Sequence, residues 1–487
     1  MYKFLVLNAM YENFRQPMKK ILISLISAFI LSSSAYAALD LSLPDMNLPD
    51  MGDPSSSVMS YTEERDLGKK LYRQLRGSQP VIEDPELSEW IRSLGNRLVS
   101  RASGARGNFY FLIIDKPSIN AFAMPGGVVA VNTGLILNTE SESELAAVLS
   151  HEIGHIMQRH IARMFAKNKG SALKTGLGVL AGAIAASQDP ALGQAVITAS
   201  IASQMQKQLN FSRQAETEAD RVGMRILAGA GFDPEGMPKF LGKLESSAGA
   251  YQDITEYLHT HPLSAKRVSD TRSRAKKYGN RPHKDSKDYL YAKAKLQAIS
   301  RTSIRARGLT GADIQRYAQA WKNAKQGRFS NIVQTLGENS RRPSEAIVIA
   351  KALNGLKKYD QTIAMLKPLV ANYPDQEALI IPLTDAYLAK GEAAKAWQLI
   401  RKTYVSEQTS LDFLYMRKEA AHAAGNIVEA LVSAAERYIH IANYKQAQAL
   451  LVQATQNTRM GATNEAKLQG LLSQVKQELK ASKNSKF

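Results

Sequence analysis

Two histidines four residues apart are the first sign of chemistry in this 487-residue sequence. Residues 151–155 read HEIGH, an HExxH motif, within a stretch that has the apolar spacing of a helix. With about 3.6 residues per turn, His151 and His155 lie roughly 40° apart on one helical face and can bind one metal ion together. Glu152 lies beside them and is placed to take a proton from a metal-bound water. The motif predicts a metal centre that still needs a third ligand.

A second acidic segment offers that ligand. Residues 211–220 read FSRQAETEAD, and a helix over them places Glu216 and Asp220 on one face. Glu216 would complete a set of two histidines and one carboxylate with an open position for water, as catalytic zinc requires. Asp220 would accept the other ring N–H of a ligating histidine. Glu218 is the competing ligand, but it is expected on the solvent-facing side of the helix.

The elements that position these residues are mostly helical. Apolar spacing predicts helices over 63–75 and 85–99, and a capping box starts the HExxH helix at Ser141. Short β-rich runs at 109–114 and 127–132 predict a small sheet. A further helix is expected over 213–228. Residues 61–265 are therefore predicted to form one α+β domain.

These motifs resemble those of HtpX and the CAAX-prenyl-protease class of zinc metallopeptidases. The resemblance rests on HEIGH, on SRQAETEAD at 212–220 and on NAFAMPGG at 120–127. It implies a zincin-like fold with one Zn²⁺ per chain, bound by His151, His155 and Glu216, with Glu152 as the base. Substrate is expected to pair with the sheet edge through backbone hydrogen bonds, unless this strand is ordinary core. The predicted substrate-binding residues are Asn120, Ala121, Phe122, Ala123 and Met124.

Among the other histidines, His261 is predicted to lie at the active site. It precedes a proline in a break between helices and matches the region that follows the third ligand in the resembling proteins. It could stabilise the reaction's oxyanion or take the fourth metal position and close the enzyme, and we favour the second role. His160, about 140° round the helix from His155, is expected at the surface.

The N-terminus has the form of an export signal. Residues 18–20 are basic, 21–31 are apolar, and AYA at 35–37 predicts cleavage after Ala37. The absence of cysteine excludes disulfides, thiolate metal sites, a cysteine nucleophile and a lipidated cysteine at the mature N-terminus. The net charge of +19 fits either anionic partners or a solvated basic surface, and export argues against nucleic acid as a partner. The predicted segments are an upstream leader and signal peptide in 1–37 and a flexible leader in 38–60.

Residues 171–204 are unusually apolar, yet Asp189-Pro190 divides them into halves shorter than the roughly 20 residues of a membrane span. We predict a helical hairpin or lid, with contact to a membrane surface as the alternative. The sequence departs here from the integral-membrane enzymes of the resembling class, because its apolar segment is too short to span a membrane.

The C-terminal part is predicted as an all-α tetratricopeptide-repeat solenoid over 305–487, after a basic linker over 266–304. Turn segments begin at residues 357, 391 and 425, at the 34-residue period of that repeat. The outer intervals are shorter, so the outer units are expected to be irregular.

The predicted export signal and the predicted C-terminal repeats of this sequence resemble those of the periplasmic members of this metallopeptidase class. The similarity implies an endopeptidase that degrades misassembled outer-membrane β-barrel proteins and assists their assembly, with the β-barrel assembly machinery bound through the repeats. The alternative is a repeat-based chaperone or adaptor with a largely resting peptidase fold.

Overall fold

The computed structural model describes residues 59–105, 107–167, 212–247, 255–301, 304–456 and 462–484, all within a compact unit that spans Pro54–Phe487. The predicted signal peptide and the apolar segment 171–204 lie outside the described residues. Within the described ranges, no helix combines the length and the apolar character needed to cross a membrane.

The described residues of the N-terminal part, 59–301, are mostly helical with one small sheet, as predicted. The helices predicted over 63–75, 85–99 and 213–228, the HExxH helix and both predicted β-rich runs are present, with ends that differ by at most three residues. The elements are α1 (Tyr61–Ser78), α2 (Pro85–Val99), β1 (Tyr110–Ile114), β2 (Ala121–Met124), β3 (Val128–Asn132), α3 (Thr133–Asn138), α4 (Glu142–Met157), α5 (His160–Lys167), α6 (Arg213–Gly229), α7 (Gly236–Ser247), α8 (Thr255–Thr260), α9 (Ala265–Lys277) and α10 (Lys287–Ile299).

The sheet has the strand order β1-β3-β2. Strand β1 is parallel to β3, and β2 is antiparallel to β3. Strand β2 is therefore an edge strand of this sheet, and it packs beside α4.

Helix α4 carries the HExxH motif and lies in the centre of the N-terminal part. The Ser141 side chain caps it by accepting the Glu144 backbone N–H. Helix α6 packs closely along it, and glycines permit the approach. A Cβ on Gly154 would lie 2.8 Å from the Ala219 carbonyl oxygen, and one on Gly223 would lie 2.9 Å from that of Ser150. The two helices thus present the histidines and the acidic residues to each other.

Most of the predicted basic linker over 266–304 is helical and forms α9 and α10. Helix α9 has a buried stripe at helical spacing, formed by Val268, Thr271 and Ala275. Basic residues between these positions obscure the pattern in the sequence. Helix α10 joins the two main hydrophobic clusters. Its buried residues in one cluster are Tyr289, Ala292 and Leu296, and those in the other are Tyr291, Ala294 and Ala298.

The remaining described helices form a helical array in which each helix packs on the next. They are α11 (Ala312–Lys325), α12 (Phe329–Leu336), α13 (Pro343–Gly355), α14 (Tyr359–Asn372), α15 (Glu377–Ala389), α16 (Ala393–Ile400), α17 (Leu411–Ala423), α18 (Ile427–His440), α19 (Tyr444–Thr455) and α20 (Ala462–Asn484).

The 34-residue interval in the sequence corresponds to equivalent turns in the array. Lys357, Gly391 and Gly425 all have positive φ, and a helix begins two residues after each of them. Gly327 and Ala442 have the same conformation before α12 and α19. The irregular outer units thus share the turn of the regular ones.

Buried ion pairs hold the helical array against α1. Arg73 donates two hydrogen bonds, of 2.8 and 2.6 Å, to the carboxylate of Glu407, and its side chain is only 3% exposed. Burial alone would raise the pKa of Glu407, but Arg73 and then Lys69 lower this pKa to about 2. The contact therefore contains a charge pair largely withdrawn from water.

We predict that Glu407→Gln lowers the free energy of unfolding by about 3 kcal/mol at pH 7, since it leaves Arg73 buried beside a neutral partner. Urea denaturation measures the loss. The matched control is Glu338→Gln, whose exposed pair with Lys358 is worth about 0.5 kcal/mol. Because folding depresses the pKa of Glu407, its contribution is complete above pH 4.5 and declines as the pH falls towards 2. Equal losses in both variants would contradict this assignment.

Candidate metal centre

Four buried side chains converge between α4, α6 and the segment after α8. His151 and His155 come from α4, Glu216 from α6, and His261 directly follows α8. Each offers one ligand atom, and these atoms all lie within 4.8 Å of one another. No member of this ligand cluster is more than 3% exposed. The fold thus brings together the three predicted ligands and the predicted fourth position.

The separations between the ligand atoms fit a tetrahedral metal ion. The Nε2 atoms of His151 and His155 are 3.0 Å apart, and His151 Nε2 lies 3.3 Å from His261 Nδ1. The Glu216 oxygens lie 3.1 to 3.4 Å from the three rings. Ligand bonds of 2.0–2.1 Å in a tetrahedron give ligand separations of about 3.3 Å.

The contacts of His151 direct one of its ring nitrogens towards the other ligand atoms. His151 Nδ1 lies 2.9 Å from an oxygen of Asp220, which favours a proton on that nitrogen. Its Nε2 would then carry a lone pair and face nitrogens of both His155 and His261. A cation between these nitrogens would accept several lone pairs at once, so the donor set fits a metal ion.

The carboxylates around His151 favour a proton on its ring when no metal is bound. Burial alone would lower the pKa of His151, but Asp220 and Glu216 raise this pKa to about 10. Burial lowers the pKa of His155 well below its ordinary value. Burial opposes ionisation of Glu216, yet the neighbouring histidines hold its pKa well below the usual range. The pKa shifts thus favour a positive charge on His151 and a negative charge on Glu216.

Asp220 occupies the predicted position behind His151, and Arg267 of α9 supports it. Arg267 donates to both Asp220 oxygens, at 2.7 and 2.8 Å, and its Nη1 lies 2.7 Å from Glu216. Burial opposes ionisation of Asp220, but Arg267 lowers its pKa. Sequence reasoning missed Arg267 because it belongs to the basic run, and only the buried stripe of α9 indicates that it faces inward.

Glu152 lies beside the ligand cluster and is completely buried. One of its oxygens lies 3.4 Å from His261 Nε2. Within the described residues, neither of its carboxylate oxygens has a hydrogen-bond partner. Burial raises the pKa of Glu152, although the charges of His261 and His151 act in the opposite direction. A polar group with free acceptors next to a metal site suits a proton acceptor.

The predicted substrate strand is buried on both faces. Phe122 and Met124 pack in the cluster that includes α1, whereas Ala121 packs with the residues of α4. The side-chain amide of Asn120 has no hydrogen-bond partner within the described parts of the chain. The side chains therefore belong to the core, and pairing with substrate through the β2 backbone stays a prediction.

The prediction that His160 lies at the surface is wrong. His160 is 5% exposed, and its Nδ1 lies 2.9 Å from His155 Nδ1. Helix α4 ends at Met157, and Arg159 adopts a left-handed φ of 48°. The helical projection therefore does not extend from His155 to His160. Glu218, the competing ligand, instead contacts the other ring nitrogen of His160.

Comparisons with known proteins agree with this site. The sequence profile described as peptidase family M48 matches residues 85–275, which include the whole ligand cluster. Over 95% of its length, the chain is 32% identical to the beta-barrel assembly-enhancing protease of Escherichia coli (strain K12), of which it covers 98%. The chain belongs to peptidase family M48. It is therefore a metallopeptidase, and the ligand cluster is its candidate metal centre.

Other M48 relatives differ in how much of the chain they match. The beta-barrel assembly-enhancing protease of Yersinia pestis is 33% identical over 85% of this chain and 80% of its own length. The mitochondrial metalloendopeptidase OMA1 of Arabidopsis thaliana is 35% identical over 158 residues, which are 32% of this chain and 29% of that protein.

Metal binding at pH 7.5 is expected to release about one proton from His151, because its pKa of about 10 in the metal-free protein keeps it protonated. Calorimetric titration with zinc in two buffers of different ionisation enthalpy measures the proton count. In Asp220→Asn, which removes a group that raises this pKa, fewer protons should be released. Identical binding heats in both buffers for the unaltered protein would contradict the assigned protonation.

Proposed function

We propose that this M48 enzyme is a zinc-dependent endopeptidase of the periplasm. The observation that carries the proposal is the convergence of His151, His155 and Glu216 beside the buried carboxylate of Glu152. Two imidazoles and one carboxylate are a ligand set typical of catalytic zinc. A bound zinc ion would polarise the scissile carbonyl and lower the pKa of water.

The protein's own residues would supply the remaining chemistry. Glu152 would take a proton from the attacking water and return it to the nitrogen of the leaving amine. Asp220 and Arg267 would hold His151 and balance the charge around Glu216. The burial of all these groups excludes bulk water and strengthens their interactions.

The proposed substrates are misassembled outer-membrane β-barrel proteins. The relatives that match nearly the whole chain are named for enhancing β-barrel assembly. Strand β2 lies at the edge of its sheet beside α4, so an extended substrate segment could pair with its backbone next to the metal centre. Strands of an unassembled barrel have unpaired backbone groups that suit this mode.

The helical array is proposed to be a tetratricopeptide-repeat solenoid that binds the β-barrel assembly machinery. The recurrent left-handed turns at the 34-residue period support this interpretation. Export by the predicted signal peptide in residues 1–37 would place the enzyme in the same compartment as its substrates.

A largely resting enzyme that acts as a chaperone or adaptor is the second candidate. His261 Nδ1 lies 3.3 Å from His151 Nε2 and 3.1 Å from a Glu216 oxygen, and it would fill the fourth position around a metal ion. Its backbone N–H donates to the Tyr257 carbonyl at 2.8 Å, and its ring stacks on that of Tyr257 with centroids 4.7 Å apart. These contacts favour a closed state in which no position remains for water.

We predict that Glu152→Gln retains zinc and the fold but cleaves unfolded casein about 100-fold more slowly or worse, because the general base is lost. Turnover and zinc content of the purified full-length proteins are measured together. Glu140→Gln, which changes a half-exposed glutamate just before α4, is the matched control and should cleave normally. Unchanged casein cleavage by zinc-loaded Glu152→Gln would remove the peptidase proposal.

His261→Ala should raise the basal rate of casein cleavage, because it frees the fourth position while His151, His155 and Glu216 still hold zinc. His259→Ala, at an exposed histidine in the same segment, should leave the rate unchanged. A large loss of activity with zinc retained would instead favour oxyanion stabilisation by His261. An unchanged rate would leave His261 with a structural role only.

A further inference from the structure

A second chain of polar contacts leads away from the metal centre, and the mechanism above does not use it. His155 Nδ1 lies 2.9 Å from His160 Nδ1, and His160 Nε2 lies 3.2 Å from an oxygen of Glu218. The Glu218 carboxylate also accepts hydrogen bonds of 3.1 Å from Arg163 and from Gln214. The chain thus runs from a buried ligand to a carboxylate that is 26% exposed.

The direction of each hydrogen bond follows from the metal-binding role of His155. Its Nε2 must carry a lone pair to face a cation, so the hydrogen of the neutral ring is on Nδ1. That N–H donates to His160 Nδ1, which therefore accepts. The hydrogen of the His160 ring is then on Nε2 and donates to Glu218. One set of tautomers satisfies every contact, and the chain ends on an anion.

The Nδ1 side of His151 has a similar arrangement of a carboxylate and an arginine. His151 Nδ1 lies 2.9 Å from Asp220, and Asp220 is paired with Arg267. The two ligating histidines of α4 are thus each backed by a carboxylate with an arginine partner, directly for His151 and through a second imidazole for His155. Helix α6 supplies both carboxylates as well as the proposed ligand Glu216.

We propose that His160 and Glu218 are positioning residues, which fix the tautomer and the ring orientation of His155 for metal binding. This inference rests on the proposed zinc site and extends it. Without the acceptor on His160, the N–H of His155 loses this hydrogen bond, and the ring can adopt the tautomer with hydrogen on Nε2. Loss of such supporting contacts commonly weakens metal affinity 10- to 100-fold.

The turn before α5 explains how His160 comes back to His155. Arg159 has φ of 48°, a left-handed conformation that costs an L-residue about 1 kcal/mol or more. Its guanidinium donates to Glu64 of α1 at 3.1 Å and to the Met59 carbonyl at 2.6 Å. These contacts offset the free-energy cost of the left-handed turn. The segment that contains Met59 and Glu64 thus helps to hold His160 against His155.

The test is the zinc dissociation constant of full-length variants, measured by competition with a chromophoric chelator. His160→Phe keeps a buried ring but removes the acceptor, and it should weaken zinc binding about 10- to 100-fold. His160→Asn places an amide oxygen near the position of Nδ1, so its affinity should stay within about threefold of the unaltered protein. His440→Phe, at a buried histidine of α18 bonded to backbone carbonyls, is the matched control and should bind zinc normally.

Thermal unfolding of the metal-free proteins separates positioning from folding, because only affinity should change in His160→Phe. Glu218→Leu alters a partly exposed residue, and it should weaken binding about 10-fold even if His160→Phe does not fold. Unaltered affinity in His160→Phe, or an equal loss in His160→Asn, would overturn the positioning role alone. Failure of the unaltered protein to bind zinc would overturn the proposed metal centre itself.

Discussion

The close packing of α6 on α4 is the contact on which the metal centre depends. Gly154 and Gly223 place the two backbones so near each other that a single Cβ at either position would meet a carbonyl oxygen at less than 3 Å. This approach sets Glu216 against the two histidines of α4. A wider spacing would separate the carboxylate from the imidazoles, and tetrahedral coordination of one ion would be lost.

Charge balance is the second constraint, because the same contact buries several ionisable groups. Arg267 pairs with Asp220 and lies against Glu216, while Glu152 remains without a hydrogen-bond partner in the described chain. The carboxylates of α6 are thus compensated by an arginine and by the imidazoles, whereas Glu152 keeps a raised pKa. The histidines around Glu216 lower its pKa despite its burial, whereas burial raises the pKa of Glu152. The two carboxylates thus differ as a hydrolytic site requires, one as a ligand and one as a base.

The sequence predicted those features that follow from spacing along one helix. HExxH placed His151 and His155 on one face, and the period of α6 selected Glu216 and Asp220. His160 could not be placed this way, because the left-handed turn at Arg159 interrupts the helix. Arg267 and the Arg73 pair with Glu407 were also missed, since contacts between distant segments leave no local pattern.

The most direct test of the account locates the metal itself. Crystals of the full-length protein grown with zinc would be measured above the zinc absorption edge, where anomalous differences show the ion alone. The account predicts a peak about 2.0–2.2 Å from Nε2 of His151, Nε2 of His155 and a carboxylate oxygen of Glu216. A map with no peak among these atoms, or with zinc bound by other residues, would contradict it.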